Sequence, residues 1–334
     1  MRPDRVFSVL IFLLTISACA SVPRNAFVLK GKPEKVDTSV LPNAMWLPDG
    51  HIPTLVVEGR VYSWFSAAGK TFRVSGAGPI DILGASPVHF EGPSDNEDNG
   101  GAWFYSVLRP AGSESLLSFY HSEDQLWKGK VVRDAEGIPI SYKNIRLAIS
   151  DDAGLTWKRA GTILSDSQPK PETAQWSGIG DHSTIIHDGY FWIYFSRHFI
   201  YLARAPVEGL GRPGTWKKYF SDGLTGGFTE PGLGGRSSPI VDSPGGNPSV
   251  IYIESLKKFI MVFHSHGTDS SLFTALSKDG LKWEKPQLLL KSNGRDKYRY
   301  ATLVQTEGTV WIYFGYWSDN KINHRLLMRQ QLSF

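Results

Sequence analysis

The chain has 334 residues with 36 Lys and Arg against 32 Asp and Glu, a net charge of +4, and that near balance argues against nucleic acid as the main partner. Its single cysteine excludes internal disulfides and a thiolate metal site. Eleven Trp, 13 Tyr and 18 Phe are mostly needed for a core, and they also supply flat faces for sugar rings.

The first segment carries Arg2 and Arg5, an apolar stretch from Val6 to Ile16, and then Ser17-Ala18-Cys19. A basic start, about eleven apolar-rich residues and small residues before a cut describe an export signal, too short to span a bilayer. Ile16-Ser17-Ala18-Cys19 resembles the lipobox of bacterial lipoproteins, which implies a leader over 1–18 and lipidation at Cys19. By that resemblance several acyl chains anchor the protein, and Ala20 after the cysteine points to the outer membrane. Losing residues 1–18 removes two Arg and one Asp, which leaves a mature charge of +3. Residues 19–38, with Pro and charges and no sustained alternation, are expected to be a tether, and 39–334 a single domain without an internal linker.

Along that domain one pattern recurs. Residues 51–66 and 181–196 align without a gap, Thr54 with Thr184, Tyr62 with Trp192 and Phe65-Ser66 with Phe195-Ser196. In both, an acidic residue and Gly (Glu58-Gly59, Asp188-Gly189) separate two alternating aromatic and β-branched runs, which is a tight hairpin. Residues 301–315 repeat it around Glu307-Gly308, and 102–121 and 248–264 are looser copies. Third strands are expected at 71–75, 145–150, 200–204, 271–277 and 324–329. Five repeats at roughly 50–75-residue spacing predict an all-β, five-bladed β-propeller, with a β-sandwich of repeated hairpins as the alternative.

Two third strands lead into Ser150-Asp151-Asp152-Ala153-Gly154-Leu155-Thr156-Trp157 and the shorter Ser277-Lys278-Asp279-Gly280-Leu281-Lys282-Trp283. Both resemble the Asp-box turn of sialidases. Their aspartates are expected to accept backbone N–H bonds as scaffold, away from the axis.

In a propeller, residues just before each innermost strand meet around the axis. Here they are Asp49-Gly50-His51, Asp98-Asn99-Gly100, Gly180-Asp181-His182, Asn247-Pro248 and Arg299-Tyr300, polar in all five repeats. Turn chemistry explains one such residue, whereas five together point to a shared ligand site.

Asp181 through Ser196, an Asp opening an inner strand followed by an aromatic hairpin, resembles the five-bladed glycoside hydrolases of family 43 and their relatives, at the level of blade pattern over about residues 45–330. That resemblance implies an inverting hydrolase of oligosaccharides with no cofactor, using an Asp base in the first blade, an Asp in the third that tunes the acid, and a Glu acid in the fourth. Base and acid would stand roughly 6.5–9.5 Å apart, with water between. Asp181 matches the third-blade Asp. Asp49 is the base by position, since His51 occupies the aligned place. Asn247-Pro248-Ser249 stands where the acid is expected, and Asn cannot donate as a general acid. The substitute is Glu230 in the glycine-rich stretch Phe228–Arg236, with His51 and His182 as further acid candidates.

Substrate contacts are expected from His51, Asn99, His182, Arg236, Asn247, Arg299 and Tyr300; His121, Glu123 and Asp124 close a second-blade strand and also face inward. The run Asp95-Asn96-Glu97-Asp98-Asn99 crowds three carboxylates, but lacks the spacing of a calcium motif and reads as a solvated turn. Two alternatives to hydrolysis stay open: a propeller lipoprotein that binds glycan or protein without turnover, favoured by Asn247, and a structural component of an envelope complex.

Overall fold

A computed structural model describes residues 27–42, 46–76, 82–266, 270–306, 308–318 and 325–333; the leader and Cys19 lie outside them. Five small antiparallel sheets make the ring. Blade I consists of Thr54–Val57, Arg60–Ala67, Lys70–Gly76 and Gly84–Pro87. Blade II is built on Gly101–Leu108, Leu116–Asp124, Tyr142–Ser150 and Thr156–Leu164, with His89–Phe90 parallel to its outer strand. Blade III runs through His182–His187, Tyr190–Ser196, Ile200–Pro206, Lys217–Ser221 and Gly226–Pro231. Blade IV is Gly246–Ile253, Lys258–His264, Leu272–Ser277 and Gln287–Leu290. Among the described residues there is no α-helix.

Blade V corrects the expected tether. Its strands Lys297–Thr306, Thr309–Trp317 and Leu326–Ser333 are completed by Val28–Lys35, which pairs antiparallel with the last strand from Val28↔Ser333 to Lys35↔Met328. This outermost strand is exposed at nearly every position and so shows no clear alternation, yet its backbone bonds tie the first and last described strands together. The segment expected as a tether thus contains a strand of the ring at Val28–Lys35.

Each blade is buried on both faces, and period-two alternation decides which neighbour a side chain meets. In Tyr190–Ser196, Phe191, Ile193 and Phe195 pack with Leu117, Phe119 and Ile145 of blade II, while Trp192 and Tyr194 pack with Val250, Phe259 and Met261 of blade IV. Three further clusters join blades I and II (Trp64 with Phe104 and Trp157), IV and V (Val262 with Ile312 and Phe314) and V and I (Tyr313 with Phe65 and Val74). Five cores at five interfaces close the ring, which a two-layer sandwich cannot do.

A circle of hydroxyls links each blade to the next. Ser106 Oγ accepts from Thr184 N (2.9 Å), Ser183 Oγ from Val250 N (3.0 Å), Ser249 Oγ from Leu303 N (2.9 Å) and Thr302 Oγ1 from Ile52 N (3.1 Å). Pro53 takes the corresponding place in blade I and has no hydroxyl; Ser66 of the second strand accepts from Phe104 N at 3.0 Å instead. The inner strands enclose an axial channel of about 960 Å³, lined at one end by His51 and Tyr105 and farther along by Leu55, Ile185, Ile251 and Val304.

The hairpin turns carry the expected backbone: Glu58-Gly59 has φ of 50° and 76°, Asp188-Gly189 47° and 75°, a left-handed pair that Gly adopts without strain. In the turns between third and fourth strands, Asp152 Oδ1 accepts from Leu155 N and Thr156 N, and Asp279 Oδ1 from Leu281 N and Lys282 N. Trp157 is fully buried and donates to Gly154 O.

Candidate active site

The polar residues that open the inner strands meet on one face of the ring, together with side chains from the ends of second strands and the starts of third strands. Asp181 is the hub. Its Oδ1 lies 3.0 Å from the Tyr105 hydroxyl and 3.1 Å from His121 Nδ1, and its Oδ2 accepts from Asn247 Nδ2 at 3.2 Å. Tyr105 also reaches Asn247 Oδ1 at 2.9 Å, its one proton serving a single acceptor at a time. His121 Nε2 stands 3.2 Å from Glu123 Oε1, and Gln125 donates to Glu123 Oε2 at 2.8 Å.

The electrostatics follow from this packing. Burial pushes the Asp181 carboxyl upward, but Lys143, His121 and Tyr105 together outweigh it and hold the group well below the ordinary carboxylate range. His121 is pulled down by burial and raised further by Asp181 and Glu123, so its net shift is upward and the imidazolium is favoured. Glu123, raised by burial, is lowered overall by His121, Lys143 and Gln125. Lys143, destabilised as a cation by burial but facing Asp181 and Glu123, keeps its ammonium, which sits 5.2 Å from the centre of the half-exposed Trp176 ring.

Asp49 enters from blade I. Its Oδ1 accepts from Arg325 at 2.6 Å and its Oδ2 from Trp103 Nε1 at 3.0 Å. Arg325, directly before the third strand of blade V, also lies 5.0 Å from the Tyr300 ring. Tyr300 itself is raised in pKa, by burial above all and further by Asp49 and Asp181, which places it in the same electrostatic enclosure. Arg299 Nε donates to Ser270 Oγ at 3.1 Å.

Several expected site residues do other work. Glu230 lies on the outermost strand of blade III, where it pairs across to Lys218 and grips Arg236 at 2.8 Å. The ion pair, a peripheral one, removes both Glu230 and Arg236 from the axis, because a glycine-rich segment that read as a pocket loop is instead a fifth strand. His182 is fully buried with Gly180 O at 2.6 Å and Phe119 O at 3.1 Å from its two nitrogens, and burial drops it to about 3. It is a neutral core histidine. His51 is 2 % exposed, its ring is tilted against that of Tyr105 with centres 4.8 Å apart, and burial lowers it to about 4, so it stands as a neutral imidazole at the mouth of the channel. Asn99 spends its amide on Asn96 O, Asp124 Oδ1 and Gln125 N, bracing the loop that holds Gln125 against Glu123. Asn247 is 5 % exposed and orients Asp181.

The acidic run is an exposed turn over residues 95–97, as expected, but Asp98 is buried and the carboxylates are engaged. Asp95 makes a double bond-pair with Arg146 at 2.7 and 2.6 Å, and Asp98, 3 % exposed, takes Arg159 Nε at 2.7 Å. These carboxylates neutralise two arginines of blade II. Among the described residues no cluster of His, Cys, Asp or Glu has the arrangement of a metal site.

Asp49 and Asp181 both act electrostatically on Tyr105, Lys143 and Tyr300, which puts them on the same face, with Asn247 bonded to Asp181. Tyr105, Lys143 and Arg325 were not singled out from sequence. The first is the third residue past Ala102 in a run that reads as blade core; Lys143 lies in a third strand and Arg325 directly before one, and the starts of these strands face the axis only once the ring is assembled.

No protein-family model matches the sequence, and no curated protein is similar enough to count as a relative. Solved structures do match. An exo-1,5-α-L-arabinanase from a bovine ruminal metagenomic library superposes with a TM-score of 0.53 at 11% identity, covering 92% of this chain and 96% of that one. The Cellvibrio cellulosa α-L-arabinanase complexed with arabinohexaose gives 0.56 at 12% identity over 91% and 93%. A family 43 β-1,3-galactosidase with galactodeoxynojirimycin gives 0.54 at 11% over 92% and 95%. At such identity the likeness establishes the fold, a five-bladed β-propeller of the kind these glycoside hydrolases share.

Proposed function

We propose that the protein is a glycosidase that cleaves a glycosidic bond of an oligosaccharide at the Asp181 face, and that it works at the bacterial envelope, held through lipid on Cys19. The observation carrying the enzymatic reading is the convergence of Asp49 and Asp181 with a cationic His121 on one face of the ring. Ionised Asp181, fixed by three donors, stabilises the positive charge that builds at the anomeric carbon. Asp49 accepts a proton from the attacking water. His121, charged between Asp181 and Glu123, is the proton source for the departing oxygen, the part that Glu230 cannot play from the outer strand. Direct attack by water inverts the anomeric configuration.

A second reading has its own support. Asn247 occupies the fourth-blade place of an acid, and every Asp181 oxygen already has a partner, as in a rigid glycan-binding surface without turnover. One experiment separates them: the full chain, purified in detergent, is screened against aryl glycosides and oligosaccharides, with NMR following the anomeric proton. Turnover with inverted product that disappears in Asp181→Asn supports hydrolysis; retained product configuration removes the direct-water mechanism; saturable binding without any turnover favours the second reading.

A further inference from the structure

The cations on this face are unevenly matched. Arg325 is paired with Asp49, and Lys143 faces Asp181 and Glu123. Elsewhere Arg146, Arg159 and Arg197 each meet a carboxylate. Arg299 does not. It is partly buried, its Nε is held by Ser270 Oγ, its guanidinium carbon lies 5.7 Å from the centre of the buried Trp317 ring, and no carboxylate among the described residues pairs with it. Neither terminal nitrogen of the guanidinium makes a hydrogen bond among the described residues.

A second group on the same wall is also unsatisfied. His264, at the end of the second strand of blade IV, is 5 % exposed, and its Nδ1 has no hydrogen-bond partner. Burial, aided by the nearby Arg299 charge, keeps this imidazole neutral with a pKa of about 3, so it presents one donor and one acceptor. Arg299 and His264 thus leave three nitrogens without hydrogen-bond partners among the described residues, and a buried one such as His264 Nδ1 is rarely left so.

We propose that this wall between blades IV and V binds an oxyanion carried by the sugar, a carboxylate or a sulfate, so that the site selects an acidic glycan over its neutral counterpart. A guanidinium fork matches either anion in two parallel bonds. Charge balance on this face points the same way. Asp49, Glu123 and Asp181 face Lys143, Arg325 and the His121 imidazolium, three against three, and Arg299 is a surplus positive charge beside a reaction that itself builds positive charge. A substrate anion on Arg299 cancels the surplus, whereas a neutral sugar leaves it opposing the transition state. The inference rests on the glycosidase reading for turnover, but its binding component stands independently.

The test uses the full chain in detergent and trios of 4-nitrophenyl glycosides that share ring stereochemistry and differ only at C6: neutral hexoside, hexuronoside and 6-sulfated hexoside, in α and β, gluco and galacto forms. Calorimetry with free glucose, galactose, their uronates and their 6-sulfates measures binding in parallel. An anionic member favoured by about tenfold or more is expected, as for a charge-assisted contact, and the carboxylate and sulfate arms identify which anion fits. Arg299→Gln is expected to erase the preference and Arg299→Lys to restore part of it, because Lys keeps the charge and loses the fork. The preference is a ratio within one protein, so a partly unfolded variant still reports it, and circular dichroism checks the fold. Equal or better use of the neutral member by the wild type, or a ratio unchanged in Arg299→Gln, overturns the proposal. Hydrolysis of neutral sugars alone would sink it and leave the glycosidase reading standing; Arg299-dependent binding of the anion without hydrolysis would do the reverse.

Discussion

His121 bridges two carboxylates, with Nδ1 at 3.1 Å from Asp181 and Nε2 at 3.2 Å from Glu123, inside a wall where it is only 4 % exposed. A neutral imidazole has one N–H and cannot donate to both, so the geometry favours the doubly protonated ring. As the proposed proton source, His121 with a raised pKa ties turnover to that proton. Activity is expected to fall as pH rises through a value above the ordinary ~6.5 of histidine. Glu123→Gln removes one stabilising carboxylate and should move that limb to lower pH; a pH profile of kcat that stays in place would separate His121 from the proton transfer.

Asp181→Asn keeps the shape of the hub and removes its charge. If the ionised carboxylate stabilises the transition state, kcat should fall by about 10²–10³, the range for losing one preorganised electrostatic contact. Ligand affinity by calorimetry should change far less. By contrast, Glu230→Gln should leave kcat/KM at its wild-type value, because Glu230 engages Arg236 at the blade edge.

Gly180 lies against His121, and a Cβ there would run into Nδ1 and Cγ of the ring. Gly180→Ala is therefore expected to displace His121 from Asp181 and lower kcat with little change in far-UV circular dichroism. A fully active Gly180→Ala enzyme would show that the His121 to Asp181 contact is dispensable.

Stability should be bounded on both sides of neutrality. His51, His182 and His264 have folded values of about 4, 3 and 3, below the ~6.5 of an unfolded histidine. Between those limits the unfolded chain binds more protons, so their contribution is present above ~6.5 and is lost as pH falls toward 4. His121 has the opposite sign: its contribution is complete below ~6.5 and is lost as pH rises through its raised folded value. Thermal melts from pH 4 to 9 should show a maximum between, and His264→Gln should flatten the acid side.

Ser183→Ala leaves Val250 N–H buried without its partner across the blade III to IV interface. The expected cost is about 1–3 kcal/mol, the penalty for an orphaned buried donor, measured by urea denaturation.

Much of the ring was legible in the chain because its cause is local. The Asp188-Gly189 type of turn, the alternation of aromatics around it and the Asp or Asn ahead of each inner strand are set by neighbours in sequence, and they placed the hairpins, the third strands and Asp49 with Asp181. Glu230 and His182 were misread because turn residues and strand residues look alike when glycines or polar groups surround them. Only burial and strand pairing distinguish a pocket loop from an edge strand, or a ligand histidine from one enclosed by two carbonyls.

What the amino-acid order determined alone was therefore the repeat, its five copies and the polar positions that begin them, since tight turns and period-two alternation need no distant partner. The ring's closure by Val28–Lys35, the replacement of Pro53 by Ser66 in the hydroxyl circle, and the gathering of Tyr105, His121, Lys143, Asp181 and Arg325 were decided by the tertiary structure. These contacts join residues tens to hundreds of positions apart, and their charges and proton positions exist only once burial has removed water from between them.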